Sequence, residues 1–375
     1  MRDTFVATMF FLLLLIIICF NSCHIGRFVI YNFANINDYK KFQNRDILPG
    51  NSVFKFKKTP NIKVFKRALG SSEHKEIRNL DSVLNRSNTV AFLIIRNDTI
   101  LFEWYSPKNN DSSQFTSFSM AKSYVSAMIG IAINERKIAN VNEPITNYLK
   151  ELKDPRFEKV TIEHLLNMRT GFDYKENYNS PFGNVAVSYY GRNLERHLEK
   201  LRIKKEPDLN FEYVSIATQI LGVILEKATG TTLSEYCEIK LWKPLGMEFP
   251  ASWSLDRKNG TEKAFCCLNA RAIDYAKFGR LFLNKGNWDG EQIISKDWVK
   301  KSTIKSSNSK DLFYGYHWWH DGMPNNDGQV NFFAQGHLGQ FTYMNPQKNT
   351  IIVRLGKNHG LVKWKSLINE INNCL

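Results

Sequence analysis

The sequence predicts a mixed α/β (α+β) fold in which strands from both ends of the chain form one antiparallel sheet. Two observations support this prediction: β-rich runs occur at 90–105 and again beyond 310, and helical patterns dominate from Ser119 to about 290. Distant parts of the chain must therefore close one sheet, and the helices between them pack against it as an inserted lobe. The helix that begins at Ser119 lies at the junction of the two lobes, where a cleft is expected.

The first 23 residues differ in composition from the rest of the chain. Residues 5–20 are almost entirely apolar and are flanked by arginines. This run is shorter than the roughly 20 residues of a full membrane span but suits the apolar region of a secretory signal. It ends in FNSC, which resembles a bacterial lipoprotein box and makes Cys23 a candidate lipid anchor. The alternative is an uncleaved signal anchor that runs to about Ile30. By either route we expect an exported protein held at the cell envelope by the bacterial membrane.

The predicted elements then follow in a simple order. A hairpin is expected at 90–105, where Arg96-Asn97-Asp98 separates two β-rich runs. Glycines at plausible helix C-termini, Gly230 and Gly286, support two of the predicted helices. The helices are predicted from Ser119 onward and at 161–168, 214–230 and 270–286, and strands return at 311–318, 329–335, 340–345 and 350–355.

These elements divide the 375 residues into three parts. Residues 1–23 form the signal sequence or membrane anchor. Residues 24–75 are polar and irregular with aromatic anchors, which is typical of an extension that wraps a domain. Residues 76–375 form the domain itself, which is long enough to bury a substantial core.

Composition excludes several classes of function. The net charge of +15 comes from lysines spread along the chain, without the pure basic block or the motif of a nucleic-acid-binding protein. No Cys-x-x-Cys pair with histidine partners is present, so we expect neither a metal site nor a cofactor. The adjacent Cys266 and Cys267 are expected to be small core residues that do not pair with each other, because such a bridge would be strained.

The strongest chemical signal is Ser119-Met120-Ala121-Lys122, one of five Ser-x-x-Lys tetrads and the one followed by a long apolar helical run. A serine and a lysine three positions apart on a helix share one face. Burial against an apolar helix lets a lysine lose its proton near neutral pH and accept one from the serine. The pair therefore predicts a nucleophile and its base; a helix cap with an exposed lysine is the alternative.

Two further segments could complete such a site. Tyr213 comes just before a helix, 94 residues after Ser119, and its phenol could shuttle protons, although it could also be a packed aromatic that caps the helix. The glycine-containing segment at 334–340 lies between two predicted strands. Glycine there permits close approach of a substrate, and a main-chain N–H could form an oxyanion hole with that of Ser119. His337 is an alternative general base.

These pieces resemble, in the same order, the motifs of the serine β-lactamase and penicillin-binding-protein superfamily. More closely, the chain is similar to the class C-type branch that includes 6-aminohexanoate-dimer hydrolases and family VIII carboxylesterases. The resemblance covers roughly 75–375, supported by HLLNMRTGFDY (164–174), FEYVSIATQILGVILEKATG (211–230), LWKPLGM (241–247), ARAIDYAKFGRLFLNKG (270–286) and GHLGQFTYMNPQKNTIIVRLG (336–356). It implies a β-lactamase/transpeptidase-like fold.

The resemblance also implies a role for each site residue. Ser119 is the acyl nucleophile, Lys122 its base and Tyr213 the proton shuttle to the leaving group, with Ser215 beside them in the Tyr-x-Ser triplet. In the third motif Gly336 takes the last position and the N–H of His337 completes the oxyanion hole. If the motif is instead His337-Leu338-Gly339, the donor is Gln340.

The resemblance implies a serine hydrolase that cleaves a small-molecule or oligomeric ester or amide through an acyl-enzyme. Ser215 stands where class C β-lactamases usually carry asparagine, and the lysine of the usual Lys-Thr-Gly motif is absent. These departures favour esters or simple amides over penicillins. The alternatives are a non-catalytic penicillin-binding or sensor module of the same fold, and a β-lactamase or D-Ala-D-Ala carboxypeptidase.

Overall fold

The computed structural model describes residue 9 and residues 24–31, 33–58, 75–304, 313–324 and 328–375, with only the backbone at residues 75 and 76. Apart from residue 9, the apolar segment at 5–20 lies outside the described residues, as does the candidate lipid anchor Cys23. Within the described ranges, no helix combines the length and the apolar character needed to cross a membrane.

The strands, in chain order, are β1 (Asn44–Ile47), β2 (Lys57–Lys58), β3 (Thr89–Arg96), β4 (Thr99–Tyr105), β5 (Phe115–Thr116), β6 (Ala251–Ser254), β7 (Leu268–Ala270), β8 (Asn287–Trp288), β9 (Glu291–Gln292), β10 (Tyr314–Gly315), β11 (Trp318–Asp321), β12 (Asn331–Gly336), β13 (Gln340–Asn345) and β14 (Thr350–Gly356). The α-helices are α1 (His24–Tyr31), α2 (Lys75–Arg78), α3 (Leu80–Arg86), α4 (Ala121–Asn134), α5 (Ile162–Leu166), α6 (Asn184–Tyr190), α7 (Leu194–Glu199), α8 (Ser215–Thr229), α9 (Leu233–Cys237), α10 (Ala272–Leu283), α11 (Lys296–Thr303) and α12 (Trp364–Cys374). The predicted hairpin and the helices from Ser119, 161, 214 and 270 are thus confirmed.

The main sheet joins both ends of the domain, as the sequence predicts. Its order among the described residues is β10-β11-β12-β13-β14-β3-β4-β2, antiparallel except for the short pairing of β2 with β4. Residues of β3 alternate between two hydrophobic cores: Leu93 packs with the helical lobe and α10, whereas Phe92 packs with α3 and α12. Since side chains of a strand alternate between faces, the sheet is buried on both sides. The mixed α/β fold is therefore confirmed.

A second sheet has the order β1-β6-β7-β5, and its central strands β6 and β7 lie within the region that the sequence predicts to be helical. These strands are not predicted from the sequence because β6 has four residues and β7 three, too few for a periodic pattern to be distinguished from a loop. The first strand of this sheet, β1, lies in the segment predicted to be an N-terminal extension and pairs with β6, far along the chain. This sheet matters for the site because β5 leads directly into the Ser119 segment.

The strand predicted at 311–318 is wrong in its extent. Instead β10 and β11 form a tight hairpin whose two central residues, Tyr316 and His317, have φ of 48° and 65°. Positive φ at both positions is typical of a type I′ turn, which glycine and asparagine usually occupy. Here buried contacts hold it, since Ser123 Oγ donates to the His317 carbonyl over 2.8 Å and Thr218 Oγ1 lies 3.0 Å from His317 Nε2.

Candidate active site

Ser119 lies at the start of the central helix of the helical lobe. A turn of 3₁₀ helix, Phe118–Met120, joins β5 to α4, and the Ser119 side chain is half-buried at the edge of a cavity. The strand before it is anchored on both sides, because Thr116 N–H donates to Ile36 and Ser117 N–H donates to Leu268. These hydrogen bonds therefore fix the start of the helix, where the Ser119 hydroxyl lies beside the cavity.

Lys122 lies one helical turn further and is 1% exposed. Its Nζ lies 3.0 Å from Ser119 Oγ, 3.2 Å from Ser215 Oγ and 2.8 Å from the Phe265 carbonyl oxygen. Burial lowers the pKa of Lys122 to about 7, although the nearby Glu176 carboxylate acts in the opposite direction. A substantial fraction of this lysine is therefore neutral near pH 7, with a lone pair available for the Ser119 proton.

Tyr213 completes a compact group around Ser119. Its ring stacks on Trp319 with centroids 5.8 Å apart, and its centroid lies 5.1 Å from Lys122 Nζ. Burial and the Glu176 carboxylate raise the pKa of Tyr213, while a hydrogen bond with Ser119 acts in the opposite direction. The phenol therefore keeps its proton at neutral pH, which suits a proton donor to a leaving group better than a base.

Glu176 is the site residue that the sequence analysis missed. Its Oε1 accepts hydrogen bonds from Ser215 Oγ at 2.6 Å and Tyr178 Oη at 2.6 Å, and its Oε2 accepts the Ser215 N–H at 2.9 Å. The carboxylate thus lies at the N-terminus of α8, where the helix dipole favours negative charge. The sequence offers no local signal for this role, since Glu176 is in an irregular loop 39 residues before Ser215.

The third predicted motif forms the hairpin between β12 and β13, where Gly336 pairs with Gln340. A Cβ on Gly336 would lie 2.3 Å from the carbonyl oxygen of Ser117, so only glycine allows β12 to approach the nucleophile segment this closely. The Gln340 side chain is fully buried, and its amide donates to the carbonyls of His337 and Gly356 over 2.9 and 2.7 Å. Gln340 therefore holds the turn together, while His337 lines the cavity beside Ser119.

His337 has an aromatic environment. Its ring stacks on Tyr178 with centroids 5.0 Å apart and meets the edge of Phe118 at 5.6 Å. Burial lowers the pKa of His337, and His359 acts in the same direction. These contacts concern the side chain of His337, and both registers of the third motif remain predictions.

A cavity that is partly open to solvent lies beside Ser119. Seven phenylalanine and tyrosine side chains line it together with Ser119 and Ser215. Across the described ranges, no group of three or more His, Cys, Asp or Glu side chains could hold a metal ion.

The prediction that Cys266 and Cys267 do not pair is wrong, although both are buried as expected. The structure contains a disulfide between them, with Cα atoms 3.7 Å apart. The pairing is accommodated by a turn in which Cys267 has a φ of 72° and Cys266 N–H donates to the Lys263 carbonyl. The turn follows Phe265, whose carbonyl binds Lys122, and Cys266 itself lines the cavity.

Comparison with known proteins points to one family. The family model described as "Beta-lactamase" matches residues 78–360. The 6-aminohexanoate-dimer hydrolase of Paenarthrobacter ureafaciens is 26% identical over 300 residues, which are 74% of this chain and 74% of that protein.

Solved structures share the fold. A candidate 6-aminohexanoate-dimer hydrolase from Bacillus anthracis superposes with a TM-score of 0.73 at 23% identity, covering 91% of each chain. EstCE1, described as a hydrolase with promiscuous acyltransferase activity, superposes with a TM-score of 0.63 at 15% identity, covering 83% of this chain and 99% of its own. These likenesses agree with the predicted β-lactamase/transpeptidase-like fold.

Proposed function

The chain belongs to the β-lactamase family of serine hydrolases, and from that premise we propose that it cleaves an ester or amide bond through an acyl-enzyme on Ser119. The observation that carries the proposal is the 3.0 Å separation of Ser119 Oγ from the Nζ of a buried lysine whose pKa is lowered to about 7. A hydroxyl within hydrogen-bond reach of a neutral amine is the arrangement that an activated serine needs.

In the proposed acylation step, neutral Lys122 takes the Ser119 proton while Oγ bonds to the substrate carbonyl carbon. The carbonyl oxygen becomes an oxyanion, stabilised by the main-chain N–H groups of Ser119 and His337. Collapse of this intermediate breaks the bond to the alcohol or amine. The leaving group takes a proton from Tyr213, which recovers one from Lys122.

Deacylation repeats these roles with water. Water bonds to the acyl carbon and gives a proton to Lys122, the bond to Ser119 Oγ breaks, and Lys122 returns the proton to the serine. A carboxylic acid leaves. If this second half did not operate, the protein would be a sensor that is labelled once and never turns over. Labelling with a fluorophosphonate probe combined with a multiple-turnover ester assay distinguishes the two functions.

We also propose that the enzyme acts at the cell envelope, anchored to the bacterial membrane through its N-terminus. The support is the apolar run at 5–20 and the FNSC sequence that ends in Cys23. Fractionation of cells that express the full chain, with and without Cys23→Ala, tests this anchor. Loss of membrane association in the variant supports a lipid anchor, retention supports a signal anchor, and a wild-type protein in the cytosol contradicts both.

The rate of acylation should rise with pH through a midpoint near 7, by about tenfold per pH unit below it, because the neutral lysine is the reactive form. Glu176→Gln should move this midpoint to lower pH, since the Glu176 charge favours the protonated lysine. The measurement is kcat/KM for an ester between pH 5 and 9. Glu212→Gln is a matched control, because Glu212 pairs with Lys205 at the surface. An unchanged midpoint in Glu176→Gln would show that Glu176 does not set the lysine pKa.

Simple esters should be better substrates than β-lactams. Ser215 Oγ contacts Lys122 and Glu176 and lacks the amide of asparagine, and the third motif lacks a lysine to bind a β-lactam carboxylate. We expect kcat/KM for p-nitrophenyl butyrate to exceed that for a chromogenic cephalosporin. A higher value for the cephalosporin would overturn this prediction and favour a β-lactamase.

A further inference from the structure

The cavity beside Ser119 is built for an apolar group. Seven of the residues that line it are phenylalanine or tyrosine, among them Phe28, Phe33 and Phe265. No lysine, arginine, aspartate or glutamate is among the described residues that line it. A pocket of this composition gains its affinity by removing hydrocarbon from water, and it offers no ion pair to a substrate carboxylate.

The position of the cavity assigns it to one half of the substrate. Ser119 and Ser215 line it, but Tyr213 and its stacking partner Trp319 do not. In the proposed mechanism Tyr213 protonates the leaving group, so the leaving group lies on the Tyr213 side of Ser119. The acyl half of the substrate therefore occupies the cavity.

The outer wall of the cavity comes from the N-terminal extension. Helix α1 packs against α6 through aromatic contacts. The ring centroids of Phe28 and Tyr31 lie 5.3 and 6.1 Å from the ring centroid of Tyr190. Phe33 meets the edge of Phe28 at 5.4 Å, and Ala34 lines the cavity next to it. Phe28, Phe33 and Ala34 thus cover one side of the cavity.

We propose that this cavity binds the acyl group of the substrate and that the N-terminal extension makes the enzyme selective for apolar acyl chains. The inference rests on the proposed function of Ser119. The substrates are then esters or amides of an aliphatic carboxylic acid, with chain length set by the wall that Phe28, Phe33 and Ala34 provide.

The test compares two ester series with the full chain. In the first, p-nitrophenyl esters lengthen from acetate to hexanoate; in the second, the acyl group stays acetyl and the alcohol lengthens from ethanol to hexanol. Burial of each methylene should raise kcat/KM by up to about fourfold in the acyl series. The alcohol series should change much less. A flat acyl series, or a steeper alcohol series, overturns the proposal.

Substitutions in the cavity wall test which residues produce the dependence of kcat/KM on acyl chain length. Phe28→Ala should reduce the hexanoate-to-acetate ratio of kcat/KM several-fold, and Ala34→Trp, at a half-buried loop position, should reduce it by blocking the cavity. Val29→Ala is the matched control, because Val29 is 61% exposed on the same helix and does not line the cavity. Equal ratios in wild type, Phe28→Ala and Ala34→Trp overturn the assignment of the wall. If the wild type does not hydrolyse even the acetate ester, the proposed function fails instead.

Discussion

Replacing Ser119 with alanine should abolish hydrolysis, with kcat reduced by roughly 10⁶-fold, the loss expected when a serine nucleophile is removed. The hydroxyl is the only atom group deleted, and it is half-buried at a helix start, so the fold should be retained. The measurement is turnover of p-nitrophenyl butyrate alongside a thermal unfolding curve.

Ser126→Ala is the matched control for this substitution. Ser126 lies on the same helix α4, is fully buried, and its hydroxyl has no hydrogen-bond partner among the described residues. Removing an unsatisfied hydroxyl costs little, so activity and stability should stay near those of the wild type. Undiminished turnover in Ser119→Ala would exclude the acyl-enzyme on this serine.

Lys122→Arg should reduce kcat/KM by on the order of 10²–10⁴-fold, the usual contribution of a general base. Arginine keeps the positive charge but cannot lose its proton near neutral pH, so it cannot accept the proton of Ser119. The expected loss therefore separates a base from a merely electrostatic lysine. The measurement is kcat/KM for the same ester at pH 7 and pH 9, where the variant should not recover.

Lys277→Arg provides the comparison for Lys122→Arg. Lys277 is also a buried lysine, and burial lowers its pKa to about 8, but its Nζ donates to the Gly246 carbonyl and does not contact Ser119. We expect this variant, where folded, to keep the activity of the wild type. If Lys122→Arg were as active, the base would have to be sought elsewhere, first at His337.

The sequence predicted the parts of the site that local spacing determines. Ser119 and Lys122 meet because residues three apart on a helix share a face, and the periodic apolar run after them shows where that helix is. The hairpin at 90–105 and the helix ending at Gly230 are also local, and Gly230 has the left-handed φ of 73° that its position requires. Such features need no knowledge of distant contacts.

Features that depend on contacts between distant segments could not be predicted. Glu176 reaches Ser215 from an irregular loop, and the α1 wall of the cavity depends on Phe28 meeting Tyr190, 162 positions away. The Tyr316-His317 turn has no turn-forming residue and is held by buried partners. The disulfide between Cys266 and Cys267 depends on a left-handed backbone at a non-glycine residue, which composition cannot reveal.

The most direct test of the central claim is the intact mass of the protein, acid-quenched during turnover of p-nitrophenyl butyrate. We predict that a fraction of the wild type gains the mass of one butyryl group, carried by the peptide that contains Ser119, and that Ser119→Ala gains none. The acid quench preserves the acyl-enzyme already formed, because protonated Lys122 cannot take the proton of the water that deacylation requires. Butyryl attached to another residue in Ser119→Ala, with hydrolysis continuing at the wild-type rate, would contradict the acyl-enzyme on Ser119.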